Sequence, residues 1–374
     1  MSLDLDPSPS SRSRLGLLAA STANTTLVYV GTYTGTGPHD SKGIYAFTFD
    51  ETTSLLTPLG LSADTPNPSY LWIHPSRQYL YAVHEQETGQ ISGFRIDADH
   101  QGRVTLINHQ SSAGSGPCYL SGNRAGSHIF VANYNSGTVA VLPVDGRDGT
   151  LKEYTGFDRQ IGSSVNRARQ QAPYAHSIRL DRTESHAISA NLGSDQIYSY
   201  QFFTGNGSLS RSRVDAVATP GDGPRHFVVS ANNEYVYVLN ELTSTVTVYR
   251  HGFALRPTQT ISTVPSNWTS PNTGAEILLH PTNESFLYVS NRGHDSLAVY
   301  SVDTSTGRLT LVQHVSVQGR VPRHFNILPD GKHLIVANQG SNNLVVFSVD
   351  PQTGRLAATG STAPISKPTC IQFL

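Results

Sequence analysis

The sequence predicts an all-β chain, one ring of seven four-stranded antiparallel blades of the β-propeller type. Three observations predict it. A unit of about 50 residues recurs six times. A seventh copy is divided between the two ends of the chain. The composition is poor in charge and rich in turn formers.

The repeat is plainest in three segments: 223–249 (GPRHFVVSANNEYVYVLNELTSTVTVY), 274–300 (GAEILLHPTNESFLYVSNRGHDSLAVY) and 321–347 (VPRHFNILPDGKHLIVANQGSNNLVVF). Each reads as a short strand, a Pro/Asn/Asp/Gly turn, a strand of the YVYVLN kind, a polar turn and a third strand of the VTVY kind. A fourth strand follows a D-x-x-T-G-R-L-T turn, as at Asp303–Thr310. Short β-branched and aromatic runs bounded by turn residues are strand signals. Segments 67–97, 116–145 and 173–203 repeat the unit. The C-terminal KPTCIQFL supplies a first strand and stops, while TLVYVGTY (26–33), GIYAFTFD (43–50) and a short strand near Leu55–Leu59 supply the other three. Aligned by the third residue, the copies start at Tyr70, Tyr119, His176, His226, Glu276, His324 and Cys370, in steps of 46 to 57 residues. A lone four-stranded sheet cannot bury both faces, whereas stacked blades can. Pairing the last strand into the first blade closes the ring and removes its open edges. Residues 26–374 are therefore expected to form a single domain.

Charged residues make up only 14% of the chain, against 32 Gly and 21 Pro. The formal net charge of −1 gives no field that would recruit nucleic acid or an anionic membrane, so any anion site must be built locally. Two cysteines, Cys118 and Cys370, are too few for a disulfide framework. No metal-binding motif appears, and neither a metal nor a cofactor is expected. No apolar run is long enough to span a bilayer. Residues 1–25, rich in Ser, Asp and Pro, read as a disordered arm. Within it Leu15–Ala20 only faintly resembles a signal segment. A cytoplasmic monomer or weak dimer is expected, with secretion as the alternative suggested by sequons at Asn24, Asn206, Asn267 and Asn283.

In a propeller the first strand of each blade lines the central channel. The copies differ from one another at those entry positions and at the residue after the second strand. At the latter, Glu241 and Arg292 stand out from a repeating Asn whose own role is to satisfy a turn. Arg225 and Arg323 precede the entry residues of two blades. His176, Arg225, Glu241 and Arg292 are expected to converge on one mouth. Guanidiniums clamp carboxylate or phosphate, and an imidazole can move a proton near neutrality. Arg323, His324, Glu276, His226, Tyr70 and Arg169 are assigned to contact with a substrate. Plainer roles compete. An Arg–Glu pair can be a structural ion pair, the histidines of the two P-R-H-F strings can be structural, and Arg169 lies in what can be a solvated loop.

The strings GTYT, KGIYAF, NPSYL, GPCYL, VANY, GPRHF, NELTSTVTVY, NRGHDSLAVY and PRHFNI resemble the lactonase family of seven-bladed propellers. That family includes 6-phosphogluconolactonases and fungal 3-carboxy-cis,cis-muconate lactonizing enzymes. The resemblance spans residues 26–374. It implies a site of one His, two Arg and one Glu, matched here by His176, Arg225, Glu241 and Arg292. Many relatives carry H-A-H-S where this chain has Tyr174-Ala175-His176-Ser177. Three functions follow as expectations: metal-independent hydrolysis of a small anionic sugar lactone such as 6-phosphogluconolactone, cycloisomerisation of a carboxymuconate, and ligand binding without catalysis.

Overall fold

The computed structural model describes residues 24–97 and 101–374. Most of the arm expected over residues 1–25, including Leu15–Ala20, lies outside the described residues. Among the described residues, strands β1 (Thr25–Thr32) to β28 (Pro368–Phe373) form seven four-stranded antiparallel sheets. The innermost strands are β4 (Leu71–Ile73), β8 (Pro117–Gly122), β12 (Ala175–Leu180), β16 (Pro224–Val229), β20 (Thr273–Leu279), β24 (Pro322–Ile327) and β28. They contact one another in that order, and β28 returns to β4. The split copy closes the ring as the sequence predicts: β28 pairs with β1, with Val30 opposite Ile371 and Gly31 opposite Cys370.

Alternation along the inner strands explains how one sequence pattern builds both core and channel. Leu71, Leu120, Ile178, Phe227, Ile277, Phe325 and Ile371 hold equivalent positions. Each belongs to a different one of seven apolar clusters, one between each pair of neighbouring blades. Burying such side chains is worth roughly 1.5–3 kcal/mol each, so adhesion between blades is distributed evenly around the ring. One residue further along, the strands turn Trp72, Ser121, Arg179, Val228, Leu278, Asn326 and Gln372 back to the channel. Cys118 and Cys370 are free and buried.

At the other end, where the site was expected, the inner strands are bulged. The pairing register slips between Pro117 and Tyr119, Ala175 and Ser177, Pro224 and Phe227, Gly274 and Ile277, and Pro322 and His324. An extra residue opposite one partner bends the strand and re-aims its side chains. Arg225 and His226 can thus both reach the channel although they are consecutive. The register also corrects the alignment by residue count. Ser177 pairs with Ala190 as His324 does with Ala337, so His176 is the extra residue of its blade. It stands level with Arg225 and Arg323, not with His226. The longer third copy concealed this offset of one residue.

The repeating Asn is structural, as expected. Asn133, Asn291 and Asn338 donate to the carbonyls of Ser112, Thr263 and Val317, and Asn191 accepts from the amide of Tyr174. The T-G-R turns need glycine. Gly307 has φ +70°, and a Cβ there would lie 2.3 Å from the Tyr235 ring.

Closure can be tested directly. Ile371 is fully buried, and Ile371→Ala should cost about 2–5 kcal/mol in a denaturant titration. Deleting residues 368–374 should abolish the cooperative transition. A truncated chain that unfolds cooperatively near the parent midpoint would contradict closure by β28.

Candidate active site

Glu241 sits immediately after the second strand of its blade, over the axis, and is 3% exposed. Three guanidiniums surround it. Arg169 donates from Nη2 to Oε1 at 2.6 Å, Arg292 Nη2 lies 3.1 Å from Oε2, and Arg225 Nε lies 3.0 Å from the same oxygen. His176 Nε2 stands 3.9 Å from Oε2. Four sequence-distant residues assigned to chemistry therefore meet at one carboxylate oxygen. Arg169, assigned to substrate contact, joins them from the loop before β12, a loop that is otherwise largely exposed.

Two of the guanidiniums are held from behind. Arg225 Nη1 donates to the Ala275 carbonyl and Arg292 Nη2 to the Gly274 carbonyl at 2.7 Å. Both Nε groups are buried without a hydrogen-bond acceptor, because the short approach of Arg225 Nε to Glu241 is not aligned as a bond. Buried donors left unspent are expensive unless a ligand takes them.

Burial alone would raise the Glu241 carboxyl, but Arg292, Arg225, His176 and Arg169 together outweigh it and hold the group well below the carboxylate range. Burial pushes the His176 imidazole down, Arg225 and His226 push further, and Glu241 opposes them. His176 is therefore neutral near pH 7 and able to accept a proton. Its ring is positioned by Cys118 Sγ, 3.8 Å from Nδ1, and by the edge-on Tyr134 ring, with centroids 5.3 Å apart. Burial pulls Arg292 down to about 10, with Glu241 opposing, so it remains a cation at neutral pH.

A second carboxylate shares this mouth. Glu85 accepts hydrogen bonds from Ser69 and from Tyr33, the latter at 2.8 Å, and lies 3.8 Å from Arg323 Nη2. Arg323 also stacks over the Tyr33 ring at 5.0 Å. Glu85 and Tyr33 were not singled out from the sequence. The signal was available, because Glu85 follows a second strand just as Glu241 does.

The remaining assigned residues lie one level deeper. Glu276 bridges His226 Nδ1 at 3.0 Å and His324 Nε2 at 3.4 Å. Burial raises its carboxyl, with His324 and Arg225 opposing, and burial lowers both imidazoles. Tyr70 packs edge-on against His226 and His324, and Tyr119 against His226. These rings and the carboxylate form a floor across the channel. His226 touches the upper group through His176, with centroids 5.1 Å apart, whereas Tyr70, Glu276 and His324 also open onto a cavity below. Among the described residues no cluster of potential ligands could hold a metal ion.

A closed seven-bladed ring with one His, one Glu and converging arginines over its axis defines a propeller with an anion-receptive channel mouth. The sequence model of the family "Lactonase, 7-bladed beta-propeller" matches residues 27–373, and the chain belongs to that family. It is 34% identical over 351 residues to a 6-phosphogluconolactonase of Bacillus subtilis, covering 92% of this chain and 97% of that one. It is 33% identical to a 6-phosphogluconolactonase of Formosa agariphila, covering 82% and 88%. Among solved structures, the periplasmic gluconolactonase of Pseudomonas aeruginosa superimposes with a TM-score of 0.85 at 31% identity, covering 94% of this chain and 99% of that one.

The ionisation pattern has a consequence for stability. Histidines lowered in the folded state contribute stability that is complete above their unfolded value, about 6.5, and lost as pH falls below it. Glu241, also lowered, loses its contribution at still lower pH. The melting temperature should thus decline already between about pH 7 and pH 5, ahead of ordinary carboxylate titration. Glu276, raised by burial, works in the opposite direction, so Glu276→Gln should steepen the decline.

Proposed function

We propose that the protein is a metal-independent lactonase that hydrolyses a small anionic sugar lactone, with 6-phosphogluconolactone as the favoured substrate. One observation carries the reading. The mouth joins four guanidiniums (Arg169, Arg225, Arg292 and Arg323) to two carboxylates (Glu241 and Glu85). Four positive charges less two negative leave two positive, which matches a phosphate monoester near neutral pH. The names of the Bacillus and Formosa relatives support the same substrate.

The chemistry follows from the geometry. The lactone carbonyl lies toward the unspent Nε donors of Arg225 and Arg292, which stabilise the oxyanion as it forms. Neutral His176 takes a proton from the attacking water through Nε2. Glu241 accepts a hydrogen bond from that water and stabilises the imidazolium that results. The tetrahedral intermediate then collapses, the ring C–O bond breaks, and the proton passes from His176 to the departing alkoxide. The product is the open hydroxy acid, and no proton is gained or lost by the enzyme. Arg169 and Arg323, nearest the opening, hold the anionic tail.

His176→Ala should lower kcat/KM for 6-phosphogluconolactone more than about a hundredfold, the scale of a general base, with the fold unchanged. The acid limb of the wild-type kcat/KM profile should fall below about 6.5, the ordinary imidazole value. Arg169→Ala should raise KM for the phosphorylated lactone while changing KM for neutral gluconolactone much less. Full activity in His176→Ala would remove the mechanism. Turnover of a carboxymuconate with neither lactone hydrolysed would move the protein to the lactonizing branch.

A further inference from the structure

The channel has a second opening, and it is built differently. A cavity of about 340 Å³ lies beneath the floor of Tyr70, Tyr119, Glu276 and His324, on the side away from Glu241. Its walls come from the lower channel-facing level of the inner strands: Trp72, Ser121, Arg179, Leu278, Asn326 and Gln372.

Charge on this side is unevenly compensated. At the rim, Arg124 pairs with Glu184 at 3.5 Å and Arg182 with Glu284 at 2.9 Å. Arg179 has no carboxylate within ion-pair distance among the described residues. Its one hydrogen bond runs from Nη1 to the Phe227 carbonyl at 3.3 Å. Of the other carboxylates lining the cavity, Glu276 is occupied by His226, His324 and the Ile277 amide, and Asp181 by the Thr183 hydroxyl and the His186 amide. The guanidinium therefore presents its remaining donors to the cavity. A blade position occupied elsewhere by neutral side chains carries a cation here, at the cost of desolvating it.

What surrounds Arg179 narrows the ligand. The Trp72 indole packs against Gly122 of the next blade, where a Cβ would come 2.1 Å from the ring, and against Tyr81 and His74, with centroids 5.8 and 5.9 Å away, so it is pinned where it lines the cavity. Gln372 spends its amide only on a weak 3.8 Å contact with Cys370 Sγ. Leu278 supplies an apolar wall. One guanidinium outside any ion pair among the described residues, one free amide, a pinned indole and an aliphatic side form an amphipathic pocket. Dispersed anions such as phosphate would leave the indole and Leu278 unused. A carboxylate joined to a flat apolar body would use all four.

We propose that this second mouth is a binding site for a small carboxylate carrying a flat apolar group, anchored by Arg179 and stacked on Trp72. It is separate from the lactone site and does not rest on the reading of that site.

The chain has two tryptophans, and the other, Trp268, packs on His294. Trp268→Phe thus leaves Trp72 as the sole indole reporter. Titrating that variant with benzoate should give a saturable change in indole emission. Adding Arg179→Met should weaken benzoate binding roughly ten- to a hundredfold, the worth of one charge-assisted hydrogen-bond pair. Arg179→Lys should weaken it less. Gln372→Glu, which sets a like charge in the same cavity, should weaken it independently and decides the matter if Arg179→Met does not fold. Three outcomes would overturn the proposal: no saturable response to benzoate, undiminished binding in folded Arg179→Met and Gln372→Glu, or inorganic phosphate binding through Arg179 as tightly as benzoate.

Discussion

Everything at the axis depends on the pairing of β28 with β1. Without it the last blade has three strands and the seventh inner strand is missing. The clusters containing Ile371 and Cys370 would then open to water on either side of the gap. The constraint is geometric before it is energetic. His176, Arg225, Glu241 and Arg292 come from three blades and are brought within 4 Å of one oxygen only because the ring has a fixed circumference. No disulfide or metal enforces that circumference among the described residues. It is set by seven similar apolar seams, each too small to dominate, which suits a fold whose repeats contact only their neighbours.

The upper mouth then poses an electrostatic problem that the fold leaves partly unsolved. Burying three guanidiniums near one carboxylate gains Coulomb energy but incurs a desolvation penalty of several kcal/mol per ion. A structural ion pair would finish its hydrogen bonds, as Arg211 does with Asp158 at 2.6 and 2.7 Å. Arg225 and Arg292 instead keep their Nε groups without acceptors. The plainer reading, that these residues merely neutralise each other, predicts a satisfied network and equal charge. The observed group has surplus cation and surplus donors, which is the state expected of a site waiting for an anion.

Much of this was legible in the sequence, for reasons that also mark the limit. The blade repeat was readable because every copy must bury the same seams, so Ile178, Ile277 and Ile371 recur on schedule. The convergence of Glu241 and Arg292 was readable because they break the repeat just after a conserved-looking Asn within this one chain. The one-residue offset of His176 was not, since a bulge adds a residue without altering the apolar pattern around it. Glu85 was passed over because its neighbour is His84 where other blades carry Asn, which blurred the equivalence. Arg179 was invisible for a different reason. It lies in a copy whose strands are the most diverged, and its distinction is the carboxylate it lacks, a fact no local pattern encodes.

The two mouths are separated by a layer of packed side chains. Glu276 holds an imidazole on each side, and two tyrosines close the remaining width. Glu276 lies between the two mouths, lining the lower cavity, and Arg225 above and Arg179 below both favour its charged form. The inward-facing residues of the seven inner strands are thus arranged as three stacked levels. The upper one gathers the arginines around Glu241, the middle one closes the channel with packed rings, and the lower one carries a guanidinium outside any ion pair among the described residues.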